Sequence, residues 1–240
     1  MKTMMDAKMK GRVMAGMMSL CLVLGLWATL GDAWLESEKD EETKDMEEFF
    51  DMTITQNSGL NNVLVTWGDL DGNCEEMLDD MDFDSDTEAE CSDDDTLEVT
   101  IALSDMCDEA ESDLDDAKDA GVEGDALDDI QEDVDEVCDS ASAGTMGTIG
   151  MWGGIVCALL AALILILPMA GVDAMDAIPD VAKMIVSWGA GGFMLLGMLM
   201  WYFMLPDGDS SMAIHLWMAG AAMTIGLGST AIGQFIPENE

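Results

Sequence analysis

The acidic and the apolar residues of this chain occupy different stretches, and this separation limits what the chain can fold into. Of its 50 aspartates and glutamates, 41 lie between residues 36 and 139 together with three lysines, which gives that segment a formal charge of −38. The rest of the chain contains four apolar blocks. Each block is close to or above the roughly 20 residues that a helix needs to cross a bilayer. The sequence therefore predicts a membrane protein with one large acidic domain outside the bilayer.

The four prolines lie at the ends of the apolar blocks, where a missing N–H donor costs little. We therefore predict a bundle of four transmembrane helices, at residues 13–34, 144–169, 183–205 and 212–236. The segments before and between these helices are a basic N-terminus, the acidic domain, a second loop and a short third loop, at residues 1–12, 35–143, 170–182 and 206–211, respectively.

The few basic residues indicate the orientation, because such residues are enriched in the cytoplasmic segments of multi-pass proteins. Lys183 lies between the second and third helices, and four of the eight basic residues precede the first: Lys2, Lys8, Lys10 and Arg12. We expect a cell-membrane protein with both termini in the cytoplasm and residues 35–143 outside. In an alternative interpretation residues 1–33 are a cleaved signal peptide, which also leaves the acidic domain outside.

The first half of the acidic domain predicts a small antiparallel sheet. Three short runs rich in β-branched residues are separated by turn residues: Met52–Thr55, Asn62–Trp67 and Leu97–Leu103. The sequence Asn57-Ser58-Gly59 lies between the first two runs and predicts that they form a hairpin.

The second half of the acidic domain predicts an αα-hairpin. Apolar residues recur at spacings of three and four in two stretches: Cys107, Ala110, Leu114 and Ala117, then Leu127, Ile130, Val134 and Val137. Residues 120–125 between these stretches indicate a turn that ends in a helix N-cap. The extracellular domain is therefore expected to be α+β, a sheet followed by a helical hairpin.

Four of the six cysteines lie in the acidic domain, as is typical of disulfides in an oxidising exterior. The midpoint between Cys107 and Cys138 falls in the predicted turn, so these residues are expected to face each other at the open end of the hairpin. We therefore predict a Cys107–Cys138 disulfide, which leaves Cys74 to pair with Cys91.

Two acidic loops have carboxylates at alternate positions and are candidate Ca²⁺ sites. The first resembles the start of an EF-hand loop, but Cys74 replaces the glycine of the sharp turn and an aspartate stands at the last position. The candidate ligands are Asp69, Asp71, Asn73 and Asp80 in the first loop and Asp82, Asp84 and Asp86 in the second. The alternatives are diffuse association of cations, a solvated acidic surface and adaptation to high salt.

Small residues in the predicted spans favour close helix packing. The candidate packing positions are Gly150, Gly154, Gly192, Gly197, Gly226 and Gly228. Packing within one bundle and association between copies of the chain are both compatible with this pattern.

Nothing in the sequence favours catalysis, transport or nucleic-acid binding. It contains no phosphate-binding loop, no Ser/His/Asp set and no zinc-ligand spacing, and its one histidine, His215, lies near the end of a predicted span. The spans contain almost none of the ionisable groups that transporters use at mid-membrane. The acidic domain would repel phosphates, so we expect a non-enzymatic protein without a nucleic-acid partner.

The chain resembles the claudin and peripheral-myelin-protein superfamily in three features. These are four spans, a large first outer loop with a tryptophan before a cysteine pair, and a short second outer loop. Trp67, Cys74 and Cys91 match the tryptophan and the disulfide of the family's first-loop sheet, and Trp34 matches an earlier tryptophan. The chain departs from the family motif in the wider spacing of these residues and in the added helical hairpin. The resemblance implies lateral assembly or an auxiliary role beside another membrane protein.

These observations lead to two functional hypotheses. The first is a structural, interaction or auxiliary-subunit protein that acts through its acidic outer domain and its helix packing, with the lipid bilayer, a second copy or another membrane protein as partner. The alternative is a cation-conducting or cation-sensing membrane protein whose outer carboxylates concentrate cations.

Overall fold

The computed structural model describes residues 5–37, 39, 41–81, 87–171, 178–205, 210–236 and 238–239. The helices are α1 (Ala7–Leu30), α2 (Glu41–Phe50), α3 (Cys74–Asp80), α4 (Leu103–Asp119), α5 (Asp125–Ile166), α6 (Asp180–Met204) and α7 (Ile214–Phe235), with a 3₁₀ helix at Pro168–Ala170. The strands are β1 (Met5–Asp6), β2 (Leu35–Ser37), β3 (Thr53–Ser58), β4 (Asn62–Gly68), β5 (Glu88–Asp93), β6 (Thr96–Ala102), β7 (Ser210–Met212) and β8 (Glu238–Asn239).

The chain divides into two compact units, which are described separately. The apolar unit comprises Met1–Gly31, Met146–Tyr202 and His215–Glu240. The acidic unit comprises Asp32–Thr145 and Phe203–Ile214.

Four helices of the described chain are long and apolar enough to cross a membrane, and most of their residues belong to the apolar unit. The four candidate spans are Met9–Leu30, Asp125–Ala170, Asp180–Met204 and Ile214–Phe235. Only 28–33 % of the most apolar window of each span is buried. Large side chains such as Trp27, Leu30 and Phe193 face outward, whereas alanines and glycines lie at the helix contacts. The prediction of four such helices is confirmed.

The helix ends differ from those predicted. The structure begins the first helix at Ala7 and ends it at Leu30. The second candidate span is the continuation of the second hairpin helix, because α5 runs for 42 residues without a break. The polar stretch around Ser140 and Ser142 therefore does not separate two helices. Its alanines, threonines and glycines are compatible with a helix that tertiary contacts stabilise.

The acidic unit contains the predicted antiparallel sheet, which has six strands in the order β5-β6-β4-β3-β2-β7. The β3–β4 hairpin forms as predicted, with Ile54 opposite Trp67 and Ser58 opposite Val63. Its turn lies two residues later than predicted, because Asn57 and Ser58 belong to β3 and the N–H of Gly59 donates to the carbonyl of Asn62 (2.8 Å).

One edge of the sheet comes from a distant part of the chain. Strand β7 lies where the sequence predicts a short loop and the start of the fourth helix, and it pairs with β2 through Leu35 and Met212. Trp34 is fully buried beside this pairing. Its N–H donates to the carbonyl of Ser58 and its carbonyl accepts from the N–H of Ala213, both at 2.9 Å.

The core of the acidic unit forms around a disulfide. Cys74, Leu97 and Val99 are completely or almost completely buried, and Trp67, Met77 and Ile101 are among the partly buried residues that pack against them. Alternation of inward and outward side chains along β6 places Leu97 and Val99 on the same face.

Candidate functional site

Both predicted disulfides are present. Cys74 is bonded to Cys91 and Cys107 to Cys138. The first bond ties α3 to β5. The second joins α4 to α5 at the open end of the hairpin, where the sequence places it. Trp67 packs in the same cluster as the Cys74–Cys91 bond.

A second feature of the acidic unit is a cavity of about 330 Å³ with several carboxylates in its wall. It lies where the end of α2, the start of β3 and the turn after β4 come together. Its lining residues are Glu47, Asp51, Met52, Thr53, Asp69 and Asp71. The sequence predicted a role in cation binding for Asp69 and Asp71, and the structure places both at this cavity.

Hydrogen bonds fix part of the cavity wall. Glu47 accepts from the N–H of Ile54 (2.6 Å) and from the ammonium of Lys39, and these two bonds hold the pKa of its carboxyl below the usual range. The hydroxyl of Thr53 donates to Asp69 Oδ2 (3.0 Å). Two of the carboxylates in the wall are thus already engaged.

The backbone around the cavity adopts an uncommon conformation. In the described part of the chain, only three non-glycine residues have positive φ, namely Asp51 (54°), Asp69 (62°) and Asp71 (52°), and all three line the cavity. Aspartate tolerates this left-handed region better than most residues. The turn is held by the N–H of Gly72, which donates to Asp95 Oδ1 (2.6 Å).

The first loop does not adopt the EF-hand arrangement that the spacing of its first residues resembles. Helix α3 begins at Cys74, the sixth position of that loop, so the chain cannot wrap around an ion as an EF-hand loop does. Asn73 instead donates its side-chain N–H to the carbonyl of Leu70 (2.9 Å). Asp80 is the last residue of α3, about 9 Å along the helix axis from its first residue.

The second predicted loop lies outside the described residues, since Asp82, Asp84 and Asp86 all fall between Met81 and Thr87. Within the described residues, one group brings three ligand atoms of His, Cys, Asp or Glu within 4.8 Å of one another: Cys107, Glu111 and Cys138. Both of its sulfurs belong to the disulfide, so neither offers a thiolate.

Sequence reasoning missed helix α2 and the surface it presents. Met46 is 47 % and Phe49 is 81 % exposed. Among the residues from 36 to 139 whose side chains the structure describes, no other large hydrophobic side chain is as exposed. The spacing of three residues between Met46 and Phe49 is compatible with one face of a helix, but the surrounding acidic residues leave no longer apolar repeat that would predict one.

The predicted packing glycines lie at helix contacts in the apolar unit, with one exception. A Cβ added at Gly150 would collide with the Cα of Gly197, and one added at Gly226 would lie 3.2 Å from the Cα of Gly191. Gly154 faces the carbonyl of Ala190, and Gly228 faces Met17.

Gly192 is the exception, because a Cβ there would meet nothing within 4 Å. A helix turns by about 100° per residue, so Gly192 points away from the contact that its neighbour Gly191 makes. Gly192 therefore makes no close contact in the described part of the bundle, and its predicted packing role stays a prediction for association between copies.

The sequence matches no protein-family model. No curated protein matches it either.

Proposed function

We propose that the chain is a multi-pass protein of the cell membrane that acts, without catalysis, as an interaction or auxiliary protein through an acidic outer domain. The observation that carries this proposal is the distribution of side chains in the apolar unit. Large apolar residues face outward along four helices while glycine and alanine occupy their contacts. This arrangement is typical of helices surrounded by lipid, because large apolar side chains on the outside of a bundle are favourable in a bilayer and unfavourable in water.

The proposed orientation places both termini in the cytoplasm and residues 35–143 outside. The basic residues before the first span and Lys183 after the second support this sidedness. Two disulfides in the acidic unit support an oxidising exterior for it.

A claudin-like role in lateral assembly is part of the proposal. It is supported by the antiparallel sheet that follows the first span and by the presence of Trp67 in the same core cluster as the Cys74–Cys91 disulfide. The helical hairpin closed by the Cys107–Cys138 disulfide is an addition to the claudin-like pattern of the first outer loop.

The test is chemical cross-linking in native membranes followed by mild detergent extraction and mass measurement of the purified particle. We expect a particle heavier than one chain, with either a second copy or a second membrane protein. A strictly monomeric particle under the mildest extraction, with no cross-linked species, would contradict the proposal.

The second candidate function is cation sensing or conduction, which the cavity lined by Glu47, Asp51, Asp69 and Asp71 favours. Carboxylate oxygens are the ligands that Ca²⁺ prefers. Calorimetric titration of the full chain with Ca²⁺ should give saturable heat that Asp69→Asn with Asp71→Asn abolishes. Exposed Glu111→Gln on α4 is the matched control. Heat that none of these substitutions changes would indicate diffuse association, and the absence of ion flux in liposomes would remove conduction.

A further inference from the structure

We propose that the exposed face of helix α2, formed by Met46 and Phe49 (the α2 face), docks a basic amphipathic segment of a partner protein. This inference rests on the proposed interaction function and names the surface and the partner class. Exposed aromatic and methionine side chains are enriched in protein interfaces. Among the residues from 36 to 139 whose side chains the structure describes, no other large hydrophobic side chain is as exposed.

The α2 face is held in position by the inner side of the same helix. Glu47, which lies between Met46 and Glu48 in sequence, points inward and accepts the N–H of Ile54 and the ammonium of Lys39. Met46 and Phe49 are three residues apart and therefore lie on one side of the helix. Anchors presented by a fixed helix lose less entropy on binding than anchors on a loop.

The negative charge around the α2 face favours a positively charged partner. Asp45 and Glu48 flank the two apolar residues and are exposed. The whole segment from 36 to 139 carries a formal charge of −38. A second copy would bring the same charge to the interface, and an anionic membrane surface would also be repelled. The complementary surface is a segment with one or two large apolar side chains between lysines or arginines.

The test uses the full chain in nanodiscs of zwitterionic lipid and two fluorescent probe peptides. Both peptides are about 18 residues long, enough to form a helix, and carry the same lysines. One has leucines on its other face and one has serines there. Empty nanodiscs supply the blank, and all titrations are made near physiological salt, where diffuse charge attraction is screened.

The expected result is a difference between the probes that depends on α2. The double substitution Met46→Ala with Phe49→Ala should lower the affinity for the leucine peptide by about tenfold, as truncation of interface anchors does. It should leave the affinity for the serine peptide unchanged. Met212→Ala removes a side chain that is 53 % exposed elsewhere in the acidic unit and should change neither. Phe49→Leu keeps an apolar anchor, so it should retain most of the affinity.

Three outcomes would overturn the inference. Equal binding of both peptides to every variant would mean that the peptides bind through charge attraction alone, without contact to Met46 and Phe49. Loss of chain self-association in the alanine variant would make the occupant a second copy. Weaker binding of that variant to added zwitterionic vesicles would make it lipid. A wild-type chain that keeps a membrane partner after extraction but binds both peptides alike leaves the proposed function standing and removes the α2 face as its site.

Discussion

Cys107 and Cys138 are bonded to each other across 31 positions of sequence, at the open end of the hairpin of α4 and α5. In this hairpin Leu114 and Val134 are buried, and seven of the eight residues within two positions of them in sequence are acidic. Like charges on both helices favour separation of the two helices, and the disulfide opposes it.

We expect the double substitution Cys107→Ser and Cys138→Ser to open this hairpin. Closing a loop of this length stabilises a fold by about 3 to 4 kcal/mol in the chain-entropy account. Amide hydrogen exchange should therefore become faster along α4, whereas amides of α7 should exchange as before. The matched control is Cys74→Ser with Cys91→Ser, which should affect β5 and α3 first. Unchanged exchange along α4 would show that the hairpin is stable without its disulfide.

Glu47 gives a prediction about pH. Hydrogen bonds from the N–H of Ile54 and from Lys39 lower its pKa in the folded chain. A lowered folded pKa contributes stability that is fully present above the unfolded value of about 4.3 and is lost as the pH falls through the folded value. Glu47→Gln should therefore lower the melting temperature at neutral pH, and the difference from the wild type should shrink below about pH 4.

The control for this experiment is Glu48→Gln, since Glu48 is the adjacent exposed carboxylate on α2. It removes the same charge without removing the bond to Ile54, and it should leave the melting temperature nearly unchanged at both pH values. A difference between Glu47→Gln and the wild type that persists undiminished at acid pH would contradict this role of the carboxylate.

Substitutions at two glycines of the apolar unit distinguish helix packing within the bundle from association between copies of the chain. Gly150 lies against the backbone of Gly197, so Gly150→Leu must push two helices apart and should cost at least about 3 kcal/mol. Gly192→Leu has open space and should leave the melting temperature in detergent unchanged. If Gly192→Leu nevertheless reduces cross-linked dimers, copies associate through that side of α6. Equal destabilisation by both substitutions would contradict the observed packing.

The local features of the fold were predictable from the sequence, and the features that depend on distant contacts were not. Apolar spacings of three and four predicted the hairpin, and its midpoint gave both disulfide pairs. Strand β5 is acidic and short, so nothing local predicts it. Its position comes from pairing with β6 and from the bond between Cys91 and Cys74.

Strand β7 and the unbroken α5 were missed for the same reason. β7 has three residues and is a strand because Leu35 lies opposite Met212. From the sequence, the start of a span is predicted at residue 144, shortly after the last acidic residue of the domain, Asp139. In the structure Gly144 is helical and lies so close to the carbonyl of Leu60 that a Cβ would collide with it. The carboxylate cavity was half predicted, because Glu47 belongs to helix α2 and Asp51 directly follows it, and the sequence pattern does not reveal that helix.

Lys10, one of the basic residues on which the predicted orientation rests, also has a structural contact. It is only 7 % exposed, and its ammonium donates to the carbonyl of Ile236, just beyond the end of α7 (2.8 Å). A cation at a helix C-terminus satisfies an orphan carbonyl and interacts favourably with the helix dipole. Lys10→Met keeps the apolar stem and removes the bond, so it should cost about 1 to 2 kcal/mol.

Arg12→Met is the matched comparison, because it removes one positive charge from the same segment while Arg12 is exposed. Both substitutions remove one positive charge from the first turns of α1, so any effect on membrane orientation should be shared. Only Lys10→Met should accelerate hydrogen exchange in the last turn of α7, near Phe235. Equal exchange in the two variants would mean that the contact with Ile236 contributes nothing to the end of α7, and that Lys10 matters only through its charge.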